Sequence, residues 1–272
     1  MNKVLVVMCV YKNDKLDDFK EALESLYNQT YKKLDIAIQE DGEVLSEVDD
    51  YLQKQIDDSK IIYLGKREQN KGFDYSLNEL IDMGLKKGYK YFVRMDADDI
   101  SISNRVEKQI EFLEKNKDID IVGTYIEEFG DGIEYNKVVK YSLTHNDMFE
   151  FFKKRVPIAH VSVIFKDSFF KKAGFYPISG HINNGDTLMW LQGFKNSCKF
   201  ANLDFVGVKV RVNSGFFSRR TGIDKALSDL KNRLEVIKEL DYPIKAYFYA
   251  LATFTINILP PTPKKLAYKY LR

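Results

Sequence analysis

The chain has 272 residues, of which 44% are hydrophobic and 30% charged, with a net charge of +2. This composition supports a sizeable core and excludes a disordered chain. The charge is too small for nucleic-acid binding by composition. Cys9 and Cys198 are far apart and form no metal-type spacing, so both read as reduced thiols of a cytoplasmic protein.

The N-terminus runs straight into Val4-Leu5-Val6-Val7-Met8. Its apolar part is too short for a secretion signal and lacks a small-residue cleavage site. The run is continuous and β-branched, as expected of a central parallel strand. Residues 17–28 follow with Phe19, Leu23, Leu26 and Tyr27 near helical spacing. Leu34 to Ile38 predicts a second strand and residues 60–64 a short third. Gly72 to Lys87 predicts a helix with Leu77, Leu80, Ile81 and Leu85 on one side. Tyr91-Phe92-Val93-Arg94-Met95 is the next strand, and residues 104–116 form another helix. The alternation argues for a doubly wound, mostly parallel sheet with flanking helices.

Beyond Ile119 the pattern is mixed. Residues 120–129, 159–165 and 205–212 look like strands, with antiparallel additions to the same sheet expected. Residues 186–195 read as a helix carrying the only tryptophan, Trp190. The compact domain is expected to span 1–215, leaving 216–272 as a helical tail. Leu227, Leu230, Leu234 and Ile237 stripe one tail helix. Residues 246–259 are nearly apolar and fall short of the ~20 residues a spanning helix needs. No acid follows Asp241, while Lys264, Lys265, Lys269 and Arg272 interleave with Tyr268 and Tyr270. A helix lying in a membrane interface and a helix packed on the domain both fit.

The chemistry concentrates after the fourth strand, in Asp96-Ala97-Asp98-Asp99. Acids delivered to the C-terminal edge of an open α/β sheet usually face a ligand. Clustered carboxylates repel unless a cation or donor compensates them, and Mg²⁺ is commonly held by one or two carboxylates plus substrate phosphates. A solvated turn capping the next helix is the alternative.

Three stretches together resemble family 2 of the glycosyltransferases: Met8-Cys9-Val10-Tyr11-Lys12, then Glu40-Asp41-Gly42 followed by Asn70-Lys71-Gly72, then Arg94 to Asp99 with Arg105 beyond. Ser25-Leu26-Tyr27-Asn28-Gln29-Thr30-Tyr31 adds a fourth match, and Pro157, His160, Asp186 and Trp190 a sparser downstream set. The resemblance implies a GT-A fold and an inverting transfer from a UDP-sugar with Mn²⁺ or Mg²⁺. The acceptor would be a saccharide or lipid-linked saccharide in bacterial surface-polysaccharide synthesis. Asp41 would then accept from the uracil N3–H, with an Asx turn into Gly42 compatible with that role. Cys9 and Tyr11 would line the donor site, although Tyr11 also suits a strand-end core aromatic. Lys71 would meet phosphate or ribose, or be a solvated lysine. Asp96 would reach ribose or basic neighbours, and Asp98 would ligate the metal. Asp186 is implied as general base, a helix N-cap being its alternative.

Two positions depart from the family pattern. Asp-Asp-Gly-Ser becomes Glu40-Asp41-Gly42-Glu43, and the Glu-Asp before the acceptor-side helix becomes Gly185-Asp186. The second leaves Asp186 as the sole acid there. His160 reads first as a core histidine and second as a diphosphate or acceptor contact; His181 lies in a Gly/Asn-rich loop that suits acceptor contact or a plain loop.

Other readings fare worse. A nucleotidyltransferase needs a glycine-rich loop after the first strand, where Cys9 to Asn13 has no glycine. An EF-hand started at Asp96 places Ile100 and Ser101 at its amide and glycine positions. No Gly-x-Gly-x-x-Gly follows a strand. A degenerate protein that only binds nucleotide-sugar, or a membrane partner, is the non-enzymatic alternative. Peripheral contact with the cytoplasmic face of the membrane is expected of the basic, aromatic tail.

Overall fold

The computed structural model describes residues 3–131, 133, 136–178, 185–213 and 222–258. His181 and the basic tail from residue 259 onward lie outside the described residues. The first half alternates as expected: β1 (Val4–Val10), α1 (Leu16–Tyr27), β2 (Leu34–Glu40), α2 (Ser46–Asp57), β3 (Tyr63–Gly65), α3 (Phe73–Lys86), β4 (Tyr91–Arg94), β5 (Ile100–Ser101) and α4 (Arg105–Lys115). The second half supplies β6 (Ile121–Phe129), β7 (Lys137–Val139), α5 (His145–Phe152), β8 (Ile164–Lys166), α6 (Asp167–Ala173), α7 (Gly185–Lys195), β9 (Phe200–Arg211), α8 (Ile223–Glu239) and α9 (Lys245–Ile258).

Among the described residues one sheet runs β3-β2-β1-β4-β8-β6-β9-β5, with β7 on β6. β1 pairs in parallel with β2 and β4, in the registers Val10 to Glu40 and Val7 to Arg94. These registers set the chain exits of three strands side by side at one sheet edge. β8 is antiparallel to β4 and β6. The mixed second half therefore extends the same sheet, although β6 and β9 run parallel to each other, with a register shift around Tyr125.

β1 is buried along its whole length, so it carries apolar residues on both faces. Leu5, Val7 and Cys9 join one core with α3, α5, α6 and α7. Val4, Val6, Met8 and Val10 join the other with α1, α2 and α4. This two-residue alternation is the pleat of the strand. Val236, Ile237, Tyr242, Ala246 and Ala250 belong to the first core, so the described part of the C-terminal helices packs on the domain.

Three local expectations change. Residues 160–162 form a 3-10 turn rather than strand, because β8 reaches its partners only from Ile164. β9 begins at Phe200, five residues before the expected start, its early residues pairing with Ile121 and Val122. β3 starts at Tyr63, not residue 60. Helix α2, for which no expectation was stated, turns Val48 and Leu52 into the core with Tyr51 and Ile56 packed beside them.

Candidate active site

β1 and β2 end level and β4 ends opposite Val7, and each hands over to a site residue. Tyr11 follows β1, half-buried rather than core, with its backbone N–H donating to Asp14 Oδ2 at 2.9 Å. Cys9 lies within β1, buried and without a disulfide; burial pushes its thiol well above the ordinary range.

Asp41 follows β2 and is buried. Its Oδ1 accepts from Lys71 N–H and its Oδ2 from Gly72 N–H, both at 2.9 Å, and Arg67 Nη1 lies 3.3 Å from Oδ1. Asn70 Nδ2 donates to the Asp41 carbonyl at 2.9 Å. Gly42 is the turn that permits this closeness: its φ is +86°, and a Cβ there would fall 2.8 Å from Asn70 N. The Asx turn into Gly42 is thus replaced by a clamp on the start of α3. Lys71 has an exposed side chain with Nζ 4.8 Å from the Tyr75 ring centre. Beside this clamp an open, polar depression of about 310 Å³ is lined by Gln39, Tyr63, Lys66, Arg67 and Lys71 and by the acids Glu79 and Asp82, with Glu79 paired to Arg67. Glu40, buried with Oε1 lacking a hydrogen bond, faces Lys66 at 3.8 Å; burial lifts its carboxyl from 4.5 to about 7.

After β4, carboxylate oxygens of Asp96, Asp98 and Asp99 lie within 4.8 Å of one another. Asp96 and Asp98 are partly exposed and Asp99 is buried. Burial, then the charges of Asp96 and Asp98, raises the Asp99 carboxyl well above its ordinary range. Asp96 pairs with Arg94, and Asp99 Oδ1 accepts from Arg211 N–H at 2.8 Å. Arg211 Nε also donates to the Asp98 carbonyl at 2.9 Å. Three hard oxygen donors this close, two of them reachable from solvent, suit a divalent cation with oxygen preference.

Behind the acids, Arg105 is fully buried. Its guanidinium donates to the carbonyls of Arg94 (3.1 Å) and Val161 (3.0 Å) and to Gln109 Oε1 (3.0 Å). It therefore welds the exit of β4 to the 3-10 turn. Burial, then the charge of Arg94, lowers it to about 9.

The facing wall comes from the second half. His160 opens the 3-10 turn, with Nε2 2.7 Å from the Tyr176 hydroxyl and its ring against Phe73 and Trp190. Burial, then Arg94, holds its pKa well below 6.5, so it is neutral near pH 7. Asn78 bonds both backbone groups of Tyr176, at 2.8 and 2.9 Å, tying this loop to α3. Asp186 stands in the first turn of α7, partly exposed, with Oδ1 accepting from Thr187 N–H at 2.6 Å. It stands inside the helix as an acid of the first turn and still presents a carboxylate.

Sequence reasoning passed over Arg67, Asp74, Tyr176 and Arg211. Arg94 also has no role in the sequence pattern, although a charged residue in an otherwise apolar strand is a signal for one. No local signal marks Arg211, whose contact with Asp99 spans more than a hundred positions.

The profile described as Glycosyl transferase family 2 matches residues 5–172. The UDP-Gal:alpha-D-GlcNAc-diphosphoundecaprenol beta-1,3-galactosyltransferase of Escherichia coli is 28% identical over 258 residues, covering 94% of this chain and 89% of that one. The amylovoran biosynthesis glycosyltransferase AmsE of Erwinia amylovora is 26% identical, covering 97% of each. Among solved structures, S. aureus TarS 1–349 in complex with UDP superimposes with a TM-score of 0.64 at 16% identity, covering 93% of this chain and 70% of that one. Of the longer TarS chain this protein spans 46%. The mannosyltransferase PcManGT of Pyrobaculum calidifontis, in complex with GDP-Man and Mn²⁺, gives 0.57 at 14% identity, covering 98% and 79%. The fold is that of the GT-A transferases.

Proposed function

The chain belongs to glycosyl transferase family 2, and from that premise we propose that it is a metal-dependent, inverting hexosyltransferase. It moves a hexose or N-acetylhexosamine from a UDP-sugar to a saccharide or lipid-linked saccharide acceptor of a bacterial surface polysaccharide. The observation that carries this reading is the cluster of Asp96, Asp98 and Asp99 at one sheet edge with the Asp41 clamp and the depression beside it. A relative acting on a diphosphoundecaprenol-linked sugar and a neighbour bound to UDP support the acceptor and donor classes.

Each residue has a task that follows from its chemistry. The Asp41 carboxylate has about four lone-pair sites, of which two amides and Arg67 take part, leaving capacity for a uracil N3–H. Tyr11 packs against the base near Cys9. Lys71 and Arg67, at the wall of the depression, meet the ribose or phosphates. Asp98 would hold the cation, with Asp96 on the ribose side and Asp99 bracing the loop through Arg211. When bound, the cation neutralises charge developing on the leaving diphosphate. Asp186 takes the proton of the acceptor hydroxyl as its oxygen attacks the anomeric carbon from the face opposite the diphosphate.

α9 and the residue before it leave Ile244, Phe248, Leu251 and Ile258 exposed. No described helix is long and apolar enough to cross a membrane. We assign this face, with Lys245, to peripheral contact with anionic lipid. Wild-type protein should float with anionic vesicles, and Phe248→Ser with Leu251→Ser should weaken that; equal flotation would count against it.

A screen of nucleotide-sugars with Mn²⁺ tests the enzyme. The true donor should raise the melting temperature and release UDP with acceptor present. Asp98→Asn should abolish the Mn²⁺-dependent part of that rise. Asp186→Asn should stop turnover and keep it. Normal turnover by Asp186→Asn would remove that residue from the mechanism.

A further inference from the structure

Glycine at 185 leaves Asp186 without an acidic neighbour in its own chain segment. The fold supplies one from elsewhere. Asp74 stands in the first turn of α3, and a Cβ built on Gly185 would fall onto both oxygens of its carboxylate. Glycine at 185 is what makes room for Asp74. The two acids belong to different elements and feel each other's charge: burial, then Asp186, lifts the Asp74 carboxyl from 3.8 to about 6, against the pull of Arg94.

A buried cation completes the arrangement. Arg94 is 5% exposed, pairs with Asp96 through Nη2, and leaves Nε and Nη1 without a hydrogen-bond partner. Its guanidinium lies 5.0 Å from the ring centre of Phe73, the residue before Asp74. Buried N–H groups left unmade cost free energy that an incoming oxygen ligand would recover. Spare donors whose charge reaches Asp74 describe a place built for a hydroxyl-bearing ligand, and a helix that merely needed an acid in its first turn would need neither the donors nor the glycine.

We propose that Asp74 is the second carboxylate of the acceptor site, a positioning residue that fills from α3 the space opened by Gly185 and sets Asp186 as the base. This rests on the transferase reading above. In the reaction the acceptor O–H bond breaks and its proton passes to Asp186. The oxygen bonds to the anomeric carbon, and the bond from that carbon to the diphosphate breaks with its electron pair leaving on the diphosphate. Ionised Asp74 favours the transfer, because protonated Asp186 no longer repels it.

Moving the carboxylate back tests the idea. Asp74→Ser and Gly185→Glu should each lower kcat about ten- to a hundredfold, while the melting-temperature rise with UDP and Mn²⁺ is kept. The double variant Asp74→Ser/Gly185→Glu should return to within about threefold of wild type. Unchanged kcat in Asp74→Ser, or a folded double variant no better than Asp74→Ser, would overturn the proposal. Should Asp74→Ser not fold, Asp74→Asn keeps the shape and must show the same loss. If wild type releases no UDP from any donor, the transferase reading fails by itself. The pairing is then read from carboxyl ¹³C titration: Asp186→Asn should lower the Asp74 midpoint, with Arg94 still present, and an unmoved midpoint refutes it.

Discussion

Asp41→Asn probes the clamp on which the donor side depends. One carboxylate oxygen serves Lys71 N–H and the other Gly72 N–H, with Arg67 alongside. An asparagine can satisfy one amide only. Its NH₂ group then faces the second N–H, donor against donor, and the charge opposite Arg67 is lost. A hydrogen bond to a charged group contributes about 1.5–3 kcal/mol, and an orphaned buried donor costs about 1–3 kcal/mol. The two together give a loss of roughly 3 kcal/mol, with a fall of about 6–12 °C in melting temperature for a chain of this size. Urea denaturation followed by tryptophan fluorescence, which reports the buried Trp190, measures it. The melting rise with UDP should vanish in the same variant, since residues 66–72 would no longer be held. A loss below about 1 kcal/mol would show that the clamp is not what fixes the start of α3.

Two further outcomes test the frame around the acids. Arg105→Lys loses the planar fork that reaches two backbone carbonyls and Gln109; it should cost about 2–4 kcal/mol, read from the urea midpoint. Glu40 carries a folded-state pKa raised above its ordinary value, so the folded chain holds the proton more tightly than the unfolded one. Stability from this group is present below pH 4.5 and is lost as pH rises from 4.5 to about 7. Glu40→Gln should therefore flatten the fall in melting temperature across that window, and an unchanged slope would refute the assignment.

Parts of this architecture could be read directly along the chain. The β1 run, the helix stripe of α3 and the acids after β4 are local patterns, because strand burial and helix faces impose periods of two and 3.6 residues. The turn at Gly42 was legible on other grounds, since glycine marks a left-handed backbone, while the clamp of Asp41 on Lys71 and Gly72 that replaces the Asx turn was not. The α2 helix was legible as well, through Val48, Tyr51, Leu52 and Ile56 at helical spacing, but that stripe was passed over. The 3-10 turn at His160 was not, because a short apolar stretch suits either state until its neighbours choose.

What the sequence by itself determined was the kind of chemistry: which acids stand at strand ends, and the resemblance they carry. What only the tertiary structure decided was company. Asp99 meets Arg211, Asp41 meets Lys71, and Asp74 enters the space beside Gly185, each across an interval that no periodicity encodes. Such pairs form because sheet order and strand register bring distant segments to one edge, and that order is set by packing of the whole core rather than by any local run.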